Sequence, residues 1–218
     1  MDLAFIKHNA PLLMEGATMT VALAIGALLG ATAGGGVVAG LRMSRLAPLR
    51  WVGTGFVEVM RNTPILVQIF VLYFGLPTLG IHMTAFTSAV LAMSLQNSAY
   101  IGEIYRAGLE SIHPRQREAA LALGMMPGMA LRVILLPQAL RRVLPPLGNQ
   151  FIIIIKDTSV ASTIAVAELT QAGKLLLDRS AAPYETFATV ALIYLAISAT
   201  VAGLLKLAEW RFPVRASQ

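Results

Sequence analysis

Polar side chains set within long apolar stretches are the residues of this sequence that could do chemistry. Burying an amide, hydroxyl or carboxylate among apolar groups costs free energy unless the group is paired, so each one marks a candidate binding site. Seven positions of the 218-residue chain qualify: Gln68, Asn97, Ser98, Glu103, Asp157, Thr158 and Ser159. Their residue types suit contacts to a polar ligand.

Each of these groups also has a structural interpretation. Lys156 and Asp157 are neighbours, so on a helix they point about 100° apart and one of them can face a cavity. Lys156 or Asp157 could instead form a structural ion pair with a residue of opposite charge, among Arg61, Glu58 and Glu103. The amides could be satisfied by hydrogen bonds between helices, without any ligand. Both interpretations stay open from the sequence.

Two shorter patterns concern the geometry around these groups. Glu103 and Arg106 lie three residues apart and share a helix face, which predicts a structural or gating pair. In the stretch RNTP, Pro64 removes a backbone donor near the start of an apolar segment, and Asn62 and Thr63 could bond the freed carbonyls. Breaks of this kind tend to line cavities.

Signatures of catalysis and of nucleotide binding are missing from the sequence. The three histidines lie in different segments, no H-E-x-x-H or G-x-S-x-G motif occurs, and the chain has no cysteine. No phosphate-binding G-x-x-x-x-G-K-[ST] loop occurs, because Gly173-Lys174 is followed by Leu175. We therefore expect a chain that is not an enzyme and holds no cofactor or metal. An intramembrane protease or transferase is the weaker alternative.

The composition places the chain in a lipid bilayer. Hydrophobic residues make up 56% of it and charged residues 13%, and the mean hydropathy is +0.71, which lies outside the range of soluble domains. Residues 16–41, 62–102 and 186–205 contain no Asp, Glu, Lys or Arg. The middle run is interrupted by Gly75, Pro77 and Gly80, so it divides into two spans.

We predict five membrane-spanning helices in a single domain covering residues 1–218. The predicted spans are residues 16–41, 51–75, 84–107, 144–166 and 186–207. Residues 3–13 are predicted to form a short interfacial helix. A cleaved signal peptide is rejected, because the basic residues Arg42 and Arg45 follow the first apolar run instead of preceding it.

The basic residues fall on one side of this layout. Alternate connections collect eleven arginines on that side: Arg42, Arg45, Arg50, Arg106, Arg115, Arg117, Arg132, Arg141, Arg142, Arg211 and Arg215. The opposite side has Lys7, Lys174 and Arg179. The positive-inside rule then puts the N-terminus outside the cytoplasm and the C-terminus within it. The net charge of +6 is thus explained by the membrane topology. We therefore do not expect nucleic acid as a partner.

Several spans are rich in small residues, especially glycine in residues 26–40. Small faces let helices approach closely in lipid. Such a face either packs within one chain or forms a seam with a second chain.

Residues 110–140 predict a helical hairpin. Helix-forming residues 118–123 run into Gly124, a helix C-cap residue, and Pro127 can begin a second helix that continues to Pro137. Its turn is unusually apolar, with Ala119, Ala120, Leu123, Met125, Met126 and Met129. Met-rich surfaces of this kind often bind a partner protein, although packing on the chain's own helices is the alternative.

The hairpin carries a long pattern that resembles the signature loop of permease subunits of bacterial ATP-binding cassette (ABC) importers. The pattern is Glu-Ala-Ala, three residues, Gly, nine residues, Ile, one residue, Leu-Pro. It is met by Glu118, Ala119, Ala120, Gly124, Ile134, Leu136 and Pro137. Residues 60–77, 97–112 and 136–160 resemble permeases for polar amino acids, of the histidine, arginine and glutamine type. Arg115-Gln116 departs from that family, which has Gly-Gln near this position.

The resemblance implies an all-α membrane protein with the type I ABC importer permease fold, five spans and a cytoplasmic coupling loop at residues 110–140. It implies two cytoplasmic ATP-binding subunits that hold ATP and Mg²⁺, a second permease of the same or a sister chain, and an extracytoplasmic amino-acid-binding protein. The setting is the bacterial inner membrane and its lipid. The resemblance also places residues 156–159 near the middle of the path, where Asp157 could balance a cationic group of the substrate.

The implied function is import of a polar or charged amino acid by alternating access. A permease for methionine or another small solute is the alternative within transport. An ATP-independent channel or structural membrane protein is the alternative outside it.

Overall fold

The computed structural model describes residues 3–180 and 182–211, and within them it contains helices and connecting turns but no strand. The α-helices are α1 (Leu3–Arg42), α2 (Ala47–Asn62), α3 (Ile65–Phe70), α4 (Ala85–Glu110), α5 (Pro114–Ala122), α6 (Pro127–Ala130), α7 (Leu136–Asp157), α8 (Leu169–Ser180) and α9 (Pro183–Arg211). Two π-helical turns, Val71–Gly75 and Leu131–Leu135, and two 3₁₀ segments, Leu76–Leu79 and Thr158–Ile164, join them. The all-helical class predicted from the sequence is confirmed.

The pairing of α1 with α4 forms the centre of the bundle. Glycines of α1 face α4 so closely that side chains would not fit: a Cβ at Gly35 would lie 2.6 Å from Ile101 Cγ2, and one at Gly34 would lie 2.9 Å from Ser98 Cβ. By contrast, a Cβ at Gly36 would meet nothing within 4 Å. Part of the glycine-rich face thus packs within the chain, as small residues allow in lipid.

Two helical stretches are long and apolar enough to cross a membrane, Lys7–Arg42 and Pro183–Leu207. The pair Ala47–Asn62 and Ile65–Leu79 also qualifies if it is taken together, but it is bent by 103°. The helices α4 and α7 have 26 and 22 residues, sufficient length for a span. Both carry polar side chains that neighbouring helices bury, among them Asn97 and Gln150.

The helix bounds correct three of the predicted segments. The short helix predicted at residues 3–13 is continuous with the first span, because α1 runs unbroken from Leu3 to Arg42. The break predicted at Pro64 exists, but it lies near the middle of the second predicted span, residues 51–75, and not near its start. The second helix of the hairpin does not end at Pro137, since the chain stays helical from Pro127 to Asp157.

The fourth predicted span, residues 144–166, changes helix type partway along. The α-helix ends at Asp157 and a 3₁₀ segment follows. Thr158, Ser159, Ser162 and Thr163 each donate a side-chain hydrogen bond of 2.7 Å to the carbonyl three residues earlier. Hydroxyls that bond the local backbone compete with the α-helical pattern, which explains the tighter turn. The segment ends at Ala165, whose φ is 57°.

Candidate functional site

The hairpin formed by α5 and α6 closes through a glycine turn. Gly124 has a φ of +79°, the left-handed conformation that glycine adopts without strain. Met125 N donates to Ala120 O at 3.1 Å and Gly124 N donates to Leu121 O at 3.0 Å, which is a Schellman cap. Because α6 then starts at Pro127, the sequence has the order helix, glycine turn, helix that its residue types predict.

The start of α5 shows how the chain accommodates its departure from the family pattern. His113 is the N-cap residue, and its Nδ1 accepts a hydrogen bond of 3.2 Å from the backbone N–H of Arg115. Pro114 occupies the first helical position, where no backbone donor is needed. Arg115 and Gln116 are both exposed, so they do not disturb the helix.

The tip of the hairpin exposes large apolar side chains. The exposed fraction is 83% for Leu123, 71% for Met126 and 48% for Met129. Of the seven pattern residues, Ala120 is buried, Ile134 is partly buried, and Glu118, Ala119, Gly124, Leu136 and Pro137 are exposed. The chain itself covers Ala120 but leaves the tip open, so packing on its own helices does not explain the apolar tip.

The hairpin is fixed firmly to the bundle at its base. Arg142 of α7 donates to Ser111 O at the end of α4. Gly108 of α4 lies directly against Val143, leaving no room for a side chain. A movement of the hairpin would therefore be transmitted to α4 and α7, which carry most of the predicted path residues.

A group of charged residues joins α1, α2 and α4 at this same end of the bundle, which we call the hairpin end. Glu103 pairs with Arg42 (Nε–Oε1 2.8 Å) and with Arg106 (Nη2–Oε2 2.8 Å), and Arg106 pairs with Glu110 at 2.6 Å. Arg42 also donates to Thr54. The predicted pair of Glu103 with Arg106 exists, but both oxygens of Glu103 are already occupied by arginines.

The buried amides lie in a layer between α4 and α7. Gln150 Nε2 donates to Asn97 Oδ1 at 2.6 Å, and Asn97 Nδ2 donates to Met93 O at 2.8 Å. Ser98 Oγ donates to Leu95 O at 2.6 Å and its side chain packs against α1. These groups satisfy one another or the backbone, which favours the structural interpretation for Asn97 and Ser98 in this conformation.

Asp157 differs from the other polar groups. Its side chain is half-buried, and within the described residues it has neither an ion pair nor a hydrogen bond. The three ion-pair partners considered from the sequence are engaged elsewhere. Arg61 lies over the ring of Tyr100 at 5.0 Å, Glu58 accepts from Asn62, and Glu103 binds arginines. Lys156 is exposed on another face.

The seven predicted path residues do not form one cluster. Since α4 runs toward the hairpin end and α7 runs away from it, Glu103 lies about 9 Å along α4 on one side of the amide layer. Asp157 lies about 10 Å along α7 on the other side. Gln68 belongs to the break between α2 and α3, where it donates to Met60 O at 3.0 Å and to Thr63 O at 3.1 Å.

Sequence reasoning missed the buried amides of Gln96 and Gln150 and the buried carboxylate of Glu168. The first two carry the same signal as Asn97, an amide within an apolar stretch. Glu168 is fully buried and accepts hydrogen bonds from Gln171 N at 2.8 Å, Thr170 N at 2.9 Å and Tyr194 OH at 2.7 Å. It caps α8 and ties it to α9, so this carboxylate is structural.

Across residues 3–180 and 182–211, no group of three or more His, Asp or Glu side chains could hold a metal ion. The site therefore offers an apolar docking tip, an interior whose amides mostly find hydrogen-bond partners, and the unpaired carboxylate of Asp157. Such a combination suits a membrane protein in which a partner bound at the tip moves the helices that line an interior path.

Comparison with known proteins agrees with this geometry. Residues 26–212 match the family described as the binding-protein-dependent transport system inner membrane component. The solved structure of an amino acid ABC transporter with histidines superimposes with a TM-score of 0.91 at 36% identity, covering 97% of this chain and 99% of that one. These matches define the class of the protein as a permease subunit of an ABC importer.

The chain belongs to the binding-protein-dependent transport family and is an amino-acid ABC importer permease. It is 40% identical over 220 residues to the glutamine transport system permease protein GlnP of Escherichia coli K12, with 98% of each chain covered. It is 36% identical to the nopaline transport system permease protein NocM of Agrobacterium fabrum, covering 96% of this chain and 91% of that one. The methionine transporter MetNI shares the fold, with a TM-score of 0.78 at 16% identity.

Family membership settles several of the alternatives. The predicted type I importer fold and the transport function are confirmed, so a channel that works without ATP is excluded. The chain is not an enzyme, because ATP hydrolysis in this family belongs to a separate ATPase. ATPase and substrate-binding partners follow from the same membership, as does an inner-membrane setting.

Proposed function

We propose that this permease moves a polar or positively charged amino acid past Asp157, Thr158 and Ser159 into the cytoplasm by alternating access. One observation carries the proposal: Asp157 is half-buried and unpaired, whereas the other carboxylates of the interior, Glu103 and Glu168, are occupied. An unpaired carboxylate in an apolar setting is costly, and a cationic substrate group would offset that cost.

The exposed hairpin tip supports docking of the ATPase at this end. We infer that Leu123, Met126 and Met129 enter a groove of that subunit, while Gly124 and the pattern residues give the hairpin its shape. The hairpin end is then cytoplasmic. This orientation agrees with the arginine bias, with the N-terminus outside and the C-terminus in the cytoplasm.

The working complex contains two such ATPases, a second permease of the same or a sister chain, and an extracytoplasmic binding protein that delivers the amino acid. ATP and Mg²⁺ bind to the ATPases, and this chain holds no cofactor. Closure of the ATPases would pull on the hairpin, and the base contacts at Arg142 and Gly108 would pass that movement to α4 and α7.

The substrate class is supported by the chemistry of the path and by the relatives. GlnP and NocM are described as permeases for glutamine and nopaline, which are polar. Methionine would leave Asp157 without a partner for its side chain, and MetNI is too distant in sequence to indicate a substrate for this chain. A polar amino acid with an amide or cationic side chain fits better.

The test is uptake by the reconstituted complex with its binding protein, measured for a panel of amino acids in the wild type and in Asp157→Asn. We expect the variant to lose uptake of cationic substrates and to retain uptake of neutral ones. Equal uptake of both classes by the variant and the wild type would remove Asp157 from the path. Glu185→Gln, at the start of α9, is the matched control, because it also replaces a carboxylate with an amide of the same length.

A further inference from the structure

The break between α2 and α3 leaves several backbone carbonyls without their helical donors, including those of Met60 and Thr63. In a continuous helix the N–H of residue 64 would bond Met60 O, but Pro64 has no N–H. The N–H of Val67, which would bond Thr63 O, instead donates to Pro64 O at 3.0 Å. The carbonyls of Met60 and Thr63 are therefore freed where the chain bends by 103°.

Two glutamine side chains supply donors to these two carbonyls. Gln68 Nε2 donates one hydrogen to Met60 O at 3.0 Å and the other to Thr63 O at 3.1 Å. Gln96 Nε2, from α4, donates to Thr63 O at 3.2 Å. A carbonyl oxygen can accept two hydrogen bonds, so Thr63 O can accept one from each glutamine. Asn62, which the sequence suggested for this task, bonds Glu58 instead.

The orientation of Gln68 is unambiguous. Its Oε1 is buried without a hydrogen-bond partner, while its Nε2 faces two carbonyl oxygens. Turning the amide over would place oxygen against oxygen at both carbonyls. Gln68 and Gln96 are each only 9% exposed, so water does not replace these bonds readily.

The bend determines the position of the segment that follows Asp157. Ile69, one residue after Gln68, is fully buried and packs in one cluster with Ala161 and Ile164 of the 3₁₀ segment. Changing the angle between α2 and α3 would move Ile69 and with it the support of residues 158–164. The hairpin is remote from this point, since Gln96 lies about 21 Å along α4 from Glu110.

We propose that Gln68 and Gln96 are positioning residues that hold the bend between α2 and α3 and thereby place residues 158–164 on the substrate path. Neither side chain needs to touch the substrate. The consequence for uptake rests on the path proposed above, whereas the consequence for the bend does not.

Substitution of Gln96 by Glu gives a test in which a change of pH removes or restores the hydrogen-bond donor. In Gln96→Glu the protonated carboxyl carries an O–H that can donate to Thr63 O, but the ionised form carries no donor and repels the carbonyl. Gln96→Met has similar size and no donor at any pH. Gln138→Glu is the matched control, because Gln138 donates to Ile134 O within one continuous helical stretch.

The first measurement follows the bend itself. The chain has no cysteine, so spin labels can be attached at Val59→Cys and Phe74→Cys, two exposed positions on either side of the break. We expect a broader or shifted label distance in Gln96→Met at every pH. In Gln96→Glu the distance should shift at about pH 8 and return to the wild-type value at about pH 5. Unchanged distances in Gln96→Met would overturn the proposal.

The second measurement follows uptake of L-arginine and L-glutamine by the full reconstituted complex. In Gln96→Met we expect the half-saturating concentration to rise roughly tenfold, with substrate-free ATP hydrolysis unchanged. Uptake by Gln96→Glu, relative to the wild type at the same pH, should recover as the pH falls. A shifted label distance with normal uptake would overturn the positioning role. If the wild type imports neither amino acid, the substrate proposal fails, while the label distances still decide whether Gln68 and Gln96 hold the bend.

Discussion

The tip of the hairpin and the amide layer between α4 and α7 reverse the usual placement of polar and apolar groups. At the tip, Leu123 and Met126 expose 83% and 71% of their surface and contact little of the chain. In the layer, Asn97 and Gln150 are 1% and 7% exposed and bond each other. Because a bilayer surrounds the layer, its polar groups must be paired within the chain, whereas exposed apolar groups need a partner only outside the lipid.

This contrast separates residues that hold the permease together from residues that connect it to other molecules. The layer contributes structure, and the tip contributes an interface. Asp157 belongs to neither group, since it is polar, half-buried and unpaired. These roles would be wrong if substitutions at the tip destabilised the fold, or if substitutions in the layer affected only assembly.

The largest effect is expected at the tip. Leu123→Asp combined with Met126→Asp should abolish copurification of the ATPase, because two carboxylates would then have to be buried in its groove. The isolated permease should unfold at the same temperature as the wild type, since both side chains are exposed. Leu79, at the end of the 3₁₀ segment Leu76–Leu79, is 74% exposed, and Leu79→Asp controls for added charge. A melting temperature lowered by the double variant would contradict the assignment of the tip as an interface.

Packing of α1 on α4 should give the next largest effect. Gly35→Val should destabilise the permease by about 1–3 kcal/mol, because its methyl groups would overlap Ile101. Gly36→Val, one residue further along α1, meets open space and should cost little. Thermal unfolding in detergent, followed by intrinsic fluorescence, compares the two. Equal stabilities of Gly35→Val and Gly36→Val would show that α1 and α4 do not pack as closely at Gly35 as described above.

The turn of the hairpin offers a smaller and more local effect. Gly124→Val should weaken the hairpin by about 1–2 kcal/mol, because a branched residue is strained at a φ of +79°. Gly124→Asn should be tolerated better, and Gly128→Val should be close to neutral at a site with open space around it. Titration of the ATPase onto each variant in nanodiscs measures the difference. The idea fails if Gly124→Val binds as tightly as Gly124→Asn.

The fold was more predictable from the sequence than the path. Gly124 and Pro127 define the hairpin by their backbone chemistry alone, so the order helix, glycine turn, helix could be predicted from these residues. The bend at Pro64 was anticipated, but its donors were not, because Gln96 comes from a different helix. The spacing of residues along one helix does not show which side chain from another helix donates to a freed carbonyl. The same reason explains why Glu103 was placed on the path although Arg42 occupies it.

The smallest effect concerns the amide layer and tests its structural role directly. Asn97→Leu removes the acceptor of Gln150 Nε2 and should leave that donor buried and unpaired. Gln150→Leu removes the donor instead, and the double variant removes both. Polar groups also find hydrogen-bond partners in the protein unfolded within the membrane. The coupling free energy between the two positions should therefore be only about 0.6–1.7 kcal/mol. Unfolding of the four proteins in a double-mutant cycle measures it. A coupling free energy near zero, together with loss of uptake in either single variant, would move Asn97 from the supporting structure to the substrate path.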